Sequence, residues 1–167
     1  LPVAVGWATR LVEYMMAGDK TYRATLKMGT FTDTQDSEGR VIEEKSWQHV
    51  DRAALDLAAA GFIGEISQMP PMYSALKKDG KPLYQLTRQG IEIERQSRSI
   101  MIDSFVIDDF TPPFVTFTVR CSKGTYVRTL CHDLGITLGC GAHMPALLRL
   151  ACGPFDPPVR HPMGELP

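Results

Sequence analysis

The stretch Phe114-Val-Thr-Phe-Thr-Val-Arg-Cys-Ser-Lys-Gly-Thr-Tyr-Val-Arg128 decides how this chain is interpreted. Its first eight residues alternate β-branched and aromatic side chains with a period of two, which predicts a strand. The Ser-Lys-Gly triplet then interrupts the strand, and Thr125 stands where a helix would take its N-cap. Tyr126 and Arg128 therefore emerge at a strand-to-helix junction, a common position for functional side chains. The alternative is a capped helix with a solvated arginine.

The remaining elements follow from periodicity and from turn residues. Their order is neither a β-α-β repeat nor an all-β run, so we predict an α+β fold around a mixed, mainly antiparallel sheet flanked by helices. Thr125 is the predicted cap of the last helix. The other predicted helices are 8–16, 50–60 and 82–89, and the predicted strands are 21–28, 62–67, 91–94, 99–107 and 114–121.

Length and composition indicate one globular domain. The chain has 167 residues, 44% hydrophobic and 22% charged, which is ordinary for a globular protein. We expect a domain over 1–155 and a proline-rich linker over 156–167. No apolar run reaches the ~20 residues that span a bilayer, and residues 1–5 are no signal peptide. The four cysteines form no C-x-x-C pair, which favours reduced thiols and a cytoplasmic location.

Charge is unevenly distributed along the chain. The net charge is −1, which by itself does not indicate a nucleic-acid-binding protein. Residues 70–100, however, carry six basic side chains against three acidic ones. Because phosphate contacts supply much of the affinity for RNA, this segment is a candidate RNA-binding surface. A solvated surface run is the alternative.

Six segments of the chain form a recognisable set in one order. They are Lys20–Gly29, Thr32–Gly39, Gln68–Lys77, Gly80–Tyr84, Ser122–Arg128 and Leu138–His143. Together they resemble the TruB family of tRNA pseudouridine synthases, over about residues 1–155. The resemblance implies the pseudouridine synthase fold, isomerisation of a uridine in the tRNA T-loop by base flipping, and the T-arm of tRNA as partner. It implies no cofactor and no metal, and we expect a monomer.

The resemblance also implies roles for individual residues. Tyr22 would stack on the target base, Arg128 would pair with the catalytic aspartate, Tyr126 would contact the flipped uridine, and Leu147 would line its pocket. From the residues alone, Tyr22 is a strand tyrosine facing the core, and a leucine such as Leu147 is by default a core residue. A thumb-like insertion over about 70–98 would close over the RNA. Its predicted RNA contacts, together with one in the 122–124 turn, are Lys77, Lys78, Lys81, Arg88 and Lys123.

One departure from the family pattern concerns the nucleophile. In the family, the catalytic aspartate lies in a Gly-x-Leu-Asp-Pro-x-Ala-x-Gly segment that runs directly into Leu-Pro-Val, and this sequence begins at Leu1-Pro-Val3. We therefore expect the aspartate upstream of these residues, a PUA-type domain downstream, and no turnover by this chain alone. Arg128 would then be unpaired or bound to another group. The alternative is a non-catalytic RNA-binding or RNA-folding module with the same fold.

Three further patterns are rejected. Cys131-His132-Asp133 contains the residue types of a catalytic thiol triad. Adjacent residues of a helix point in different directions, so these three cannot form one. Asp33–Gly39 has the wrong residues for a calcium loop. The four histidines lack metal-ligand spacing. A small-molecule enzyme built on Cys131 or Cys140 is the least favoured function.

Overall fold

In the part of the chain that the structure describes, a five-stranded sheet carries two α-helices on one face. The computed structural model describes residues 5–13, 18–74, 77–78, 81–82 and 95–153, and side chains 8, 11, 77–78 and 81–82 are outside the description. A 3₁₀ helix spans Gly6–Leu11. The helices are α1, Arg52–Ala60, and α2, Val127–Thr137. The strands are β1 Lys20–Met28, β2 Thr30–Thr32, β3 Val41–Glu44, β4 Gly64–Gln68, β5 Lys77–Lys78, β6 Lys81–Pro82, β7 Arg98–Thr111, β8 Phe114–Cys121 and β9 Ala142–Cys152.

The strand order in the sheet is β4-β7-β8-β1-β9. Every strand pairing within the described part of the chain is antiparallel, including the separate pairs β2–β3 and β5–β6. The prediction of an α+β fold with a mainly antiparallel sheet is confirmed. Long-range pairing brings β1 between β8 and β9, so residues near 20, 121 and 152 lie side by side at one end of the sheet.

The core lies between the sheet and the two helices. Alternate residues of β1 and β8, such as Leu26 and Phe117, are buried and pack with Leu55 of α1 and Leu130 of α2. Burying such side chains supplies about 1.5–3 kcal/mol each. The opposite sheet face carries exposed ion pairs such as Arg120–Asp19, which contribute little to stability. Within the described residues, no helix has the length and apolar character that a bilayer crossing requires.

Several predicted element bounds are wrong. A 3₁₀ helix over Gly6–Leu11 takes the place of the start of the α-helix predicted for 8–16, and no side chain caps its N-terminus at Val5. Helix α1 begins only after Asp51, whose side chain accepts a hydrogen bond of 2.8 Å from Ala54 N. Pro82 was predicted to open a helix but lies in β6, paired with Lys77. Its missing N–H is tolerated because each strand of this pair is only two residues long.

Strands β2, β3 and β9 have no counterpart among the predicted elements. Strand β9 lies at the edge of the five-stranded sheet beside β1, and its residue Met144 forms an isolated parallel bridge with Asp36. It contains Pro145, and the register with β1 shifts between Thr25 and Lys27, opposite that proline. An edge position and a bulge are where a strand accepts proline. The local sequence therefore lacks the alternation that periodicity analysis depends on.

The junction before α2 differs from the prediction in one detail. Thr125 was expected to cap the helix, but its hydroxyl donates to Ser122 O at 2.9 Å and closes the turn instead. The N-cap residue is Tyr126, in an extended conformation and without a side-chain cap bond. Gly124 has a φ of +85°, which favours glycine in this turn. The turn therefore sets the direction in which α2 leaves the sheet.

Candidate active site

Arg128 is in the first turn of α2 and is paired. Its Nη1 lies 2.9 Å from Asp36 Oδ2, and Nη2 donates to the carbonyl oxygen of Tyr73. The arginine and aspartate side chains are only 20% and 22% exposed. Because solvent screens a half-buried pair less than an exposed one, the contact is expected to hold its geometry. Of the two options for Arg128, unpaired or bound to another group, the second is correct.

Asp36 is a functional candidate that sequence reasoning missed. Its Oδ1 accepts from Thr34 Oγ1 at 2.5 Å and from Glu38 N at 3.1 Å, which leaves Oδ2 directed at Arg128. The segment 32–39 was quoted as a family motif and rejected as a calcium loop. Nothing in its local pattern indicates a partner 92 residues away.

The loop that carries Asp36 is held against α2 and β9. Gln35 has a φ of +65°, its side-chain Oε1 accepts from Thr129 Oγ1 at 2.8 Å, and its carbonyl accepts from Met144 N at 3.0 Å. A non-glycine residue in the left-handed region stores strain of about 1–3 kcal/mol and persists where its surroundings hold it. The Asp36 carboxylate is therefore presented by a fixed backbone.

Tyr126 is next to Arg128 and is held from β4 and β7. Gln68 Nε2 donates to Tyr126 O at 3.1 Å, and Tyr126 N donates to Gln68 Oε1 at 2.8 Å. The guanidinium carbon of Arg98 lies 5.2 Å from the centre of the Tyr126 ring, within the range of a cation–π contact. Tyr126 and Arg128 thus form one cluster with Asp36 and the residues around Tyr73.

Tyr22 lies on the core face of β1. It is 7% exposed and belongs to the same buried cluster as Ala24 and Leu26, which is the arrangement indicated by the residues alone. Its ring faces Arg149 of β9, whose guanidinium carbon is 5.3 Å from the ring centre. Burial raises the pKa of the Tyr22 phenol, and Arg149 opposes that rise. The phenol therefore stays protonated near neutral pH.

Leu147 is not a core residue. It is 47% exposed and lies on β9 directly opposite Ala24, two positions from Arg149. The strand register places Leu147 diagonally across from Tyr22, whose direct partner is Arg149. This exposed leucine is compatible with a pocket wall, which stays a prediction.

The predicted RNA contacts are described to different extents. Lys123 is exposed at the turn before α2. Lys78 pairs with Lys81 and Lys77 with Pro82, in a short hairpin whose side chains are not described. Arg88, most of the predicted thumb and the predicted linker lie outside the described residues. The contact of Arg95 Nη1 with Pro70 O, 2.8 Å, joins the two ends of the insertion at its base.

The thiol hypothesis has no support in the geometry. None of the four cysteines forms a disulfide and all four are buried, and burial raises the pKa of the Cys131 and Cys140 thiols. A protonated, inaccessible thiol is a poor nucleophile. The ring of His132 packs edge-on against Phe31 at 5.0 Å rather than towards a cysteine. Across the described ranges, no three His, Cys, Asp or Glu side chains are grouped to hold a metal ion.

The fold defines a class of protein. One chain in the crystal structure of a Cbf5–Nop10–Gar1 complex matches with a TM-score of 0.69 and 29% identity, over 94% of this chain and 37% of that chain. A chain of an H/ACA RNP bound to a substrate RNA containing 2'-deoxyuridine matches in fold alone. Its TM-score is 0.60 at 23% identity, over 90% of this chain and 33% of that chain. The fold is that of the pseudouridine synthases, as predicted.

Family models identify the family, within the pseudouridine synthases, to which the chain belongs. The TruB family pseudouridylate synthase N-terminal domain matches residues 1–127, and the tRNA pseudouridylate synthase B C-terminal domain matches residues 128–166. The chain belongs to the TruB family. The boundary between the two matches falls within α2, and β9 of the second match is hydrogen-bonded to β1 of the first.

Curated relatives are similar over nearly the whole chain. The tRNA pseudouridine synthase B of Syntrophotalea carbinolica is 52% identical over 93% of this chain and 51% of its own length. That of Geobacter sulfurreducens is 51% identical, again over 93% of this chain and 51% of its own length. That of Chromohalobacter salexigens is 46% identical over 99% of this chain and 54% of its own length. The chain therefore spans about half the length of the curated relatives it matches.

Proposed function

We propose that this chain forms part of the catalytic domain of an enzyme that isomerises a uridine in the T-loop of tRNA to pseudouridine. The observation that carries the proposal is the guanidinium of Arg128, held by Asp36 and by the Tyr73 carbonyl beside Tyr126. A planar, permanently charged guanidinium held in this way is suited to orienting a second carboxylate. Relatives named tRNA pseudouridine synthase B support the choice of reaction.

The reaction needs a nucleophile that these residues do not include. The aspartate segment implied by the family resemblance is not in the sequence, so the proposal requires it from a segment beyond these residues. Arg128 has five N–H donors, of which two are used in the contacts to Asp36 and Tyr73. The remaining donors could hold a nucleophilic carboxylate bidentately and keep it ionised.

The target base must leave its stack to be isomerised. Extruding a nucleotide costs a few kcal/mol, which stacking and polar contacts to the flipped base offset. We assign the stacking to Tyr22 and the lining of the pocket to Tyr126 and Leu147. Stacking on one aromatic ring contributes about 1–3 kcal/mol. The phenol of Tyr22 is a candidate for proton transfer at C5, because it stays protonated and faces Arg149.

RNA binding is assigned to the positive side chains near the predicted thumb and the 122–124 turn. We propose phosphate contacts by Lys77, Lys78, Lys81, Arg88 and Lys123. A tRNA substrate predicts a cytoplasmic location, and we propose that the protein acts as a monomer. Neither metal nor redox cofactor is needed for breaking and rejoining a glycosidic bond through an aspartate.

The test uses the full-length gene product and unmodified tRNA. Wild type, a variant with Asp→Ala at the family aspartate, and Arg128→Lys are incubated with tRNA, and T-loop pseudouridine is read by chemical labelling. We expect modification by the wild type alone, since lysine cannot reproduce the two-point geometry of arginine. Modification by this chain on its own would contradict the requirement for an outside aspartate.

The alternative is a non-catalytic module with the same fold that binds or folds RNA. No modification by the full-length wild type, combined with salt-sensitive tRNA binding that Lys123→Ala weakens, would establish that alternative. The two functions share the same surface and differ only in turnover.

A further inference from the structure

We propose that Gln68 is a positioning residue for the reaction, because its buried amide fixes the backbone of Tyr126, the residue at which α2 begins. The inference rests on the proposed function, since it assigns to Gln68 a part in placing Tyr126 and Arg128. The side chain is polar, yet only 1% of the residue is exposed. Buried amides are retained where their hydrogen bonds are satisfied.

Both contacts of this amide go to one residue. Gln68 Nε2 donates to Tyr126 O at 3.1 Å and its Oε1 accepts from Tyr126 N at 2.8 Å, across 58 positions of sequence. Two bonds to the N–H and C=O of the same residue fix its orientation as well as its position.

The helix start depends on this support. Tyr126 is the N-cap of α2 with φ −97° and ψ 106°, and its side chain makes no capping bond. The hydroxyl of Thr125 is engaged with Ser122 O. The Tyr126 N–H is instead satisfied by Gln68, and its carbonyl also accepts from Leu130 N at 3.1 Å. Any rotation of the Tyr126 peptide is therefore passed to Arg128 two residues later.

The segment that begins with Gln68 also holds the far end of Arg128. The chain runs from Gln68 through Pro70 to Tyr73, whose carbonyl accepts from Arg128 Nη2. Gln68 is in register with Arg98, whose guanidinium lies over the Tyr126 ring. One short segment thus sets both the backbone origin and the guanidinium of Arg128. A side chain that only filled space in the core would need none of these polar contacts, so they support a positioning role for Gln68.

The perturbation is Gln68→Met in the full-length enzyme, which keeps the volume and removes both hydrogen bonds. We expect the single-turnover rate at saturating tRNA to fall about 10²-fold, the size of effect that a displacement of about 1 Å at a reacting group produces. The tRNA affinity should stay within about threefold of wild type, because no RNA contact is removed. The control is Leu55→Ala, which opens a cavity in the same core within α1, away from the site.

Both variants are assayed well below their unfolding midpoints, with circular dichroism confirming the fold. If Gln68→Met does not fold, Gln68→Glu replaces it, since its carboxylate still accepts from Tyr126 N but opposes Tyr126 O. A rate loss in either Gln68 variant that greatly exceeds that of an equally destabilised Leu55→Ala supports the inference.

Two results count against it in different ways. If the wild type makes pseudouridine and the Gln68 variants lose no more rate than Leu55→Ala, Gln68 is structural only and the inference is overturned. If the full-length wild type makes no pseudouridine, the proposed function fails and the inference fails with it.

Discussion

Replacing Asp36 by asparagine tests whether the Arg128 guanidinium must be held. Asparagine keeps the Oδ1 acceptor used by Thr34 and Glu38 but removes the charge, and it can place an NH₂ group against the Arg128 Nη1 that now lies 2.9 Å from Oδ2. A hydrogen bond to a charged group contributes about 1.5–3 kcal/mol. If that energy is used to place Arg128 in the transition state, its loss lowers the rate about 10- to 150-fold at about 1.4 kcal/mol per decade.

The assay is single-turnover pseudouridine formation by the full-length enzyme at saturating tRNA, with the unfolding midpoint measured in parallel. Asp33→Asn is the matched control, because Asp33 lies in the same loop and its Oδ1 accepts only from the backbone N of Arg40, at 2.9 Å, among the contacts described for it. We expect the control to stay within about threefold of wild type. An Asp36→Asn enzyme with wild-type rate and stability, or a control equally impaired, would refute the reasoning.

Three further predictions concern the phenol of Tyr22, Lys123 in the turn before α2, and the partly buried carboxyl of Asp133. Tyr22→Phe keeps the ring but removes the hydroxyl, so we expect tRNA affinity to be retained and the rate to fall at least about 10²-fold, as for loss of a proton-transfer group. A wild-type rate would leave Tyr22 with stacking alone. Plotting the logarithm of the tRNA binding constant against the logarithm of the salt concentration gives a slope that reports the number of phosphate contacts. Lys123→Ala should reduce the magnitude of that slope by about one, measured by titration at several salt concentrations. An unchanged slope would remove Lys123 from the interface. Burial raises the pKa of Asp133 to about 6 from its ordinary value of 3.8; the folded state therefore binds the proton more tightly, and this carboxyl destabilises the fold as pH rises from about 4 to 6. Asp133→Asn should raise the unfolding midpoint at pH 8 but not at pH 4, and an equal gain at both values would contradict this assignment.

Local patterns were sufficient for the elements whose periodicity matches their burial. Strand β8 and most of β1 alternate between core and surface, so period-two spacing identified them. Helix α2 was likewise predicted, from the Ser-Lys-Gly turn that precedes it. The edge strand β9 was not, because Pro145 and the bulge beside it break the alternation, and β2–β3 pair in a segment that looks like a polar loop.

The residues of the candidate site likewise fall into those named from the sequence and those found only in the structure. Tyr22, Tyr126, Leu147 and Arg128 were named from sequence through the family resemblance, and Arg128 and Tyr126 indeed share the first turn of α2. Asp36 and Gln68 were not named, because their partners lie 92 and 58 positions away. Contacts of that separation depend on the strand order β4-β7-β8-β1-β9, which forms only when segments distant in sequence pair.

By itself, the sequence determined the class of fold, the junction that carries Tyr126 and Arg128, and the family to which they belong. These depend on short-range properties, namely side-chain period, turn residues and motif order. Only the tertiary structure decided that Arg128 is held by Asp36 and the Tyr73 carbonyl, and that Gln68 holds the Tyr126 peptide. Those pairings arise because antiparallel strands distant in sequence meet at one end of the sheet, where buried polar groups must find partners.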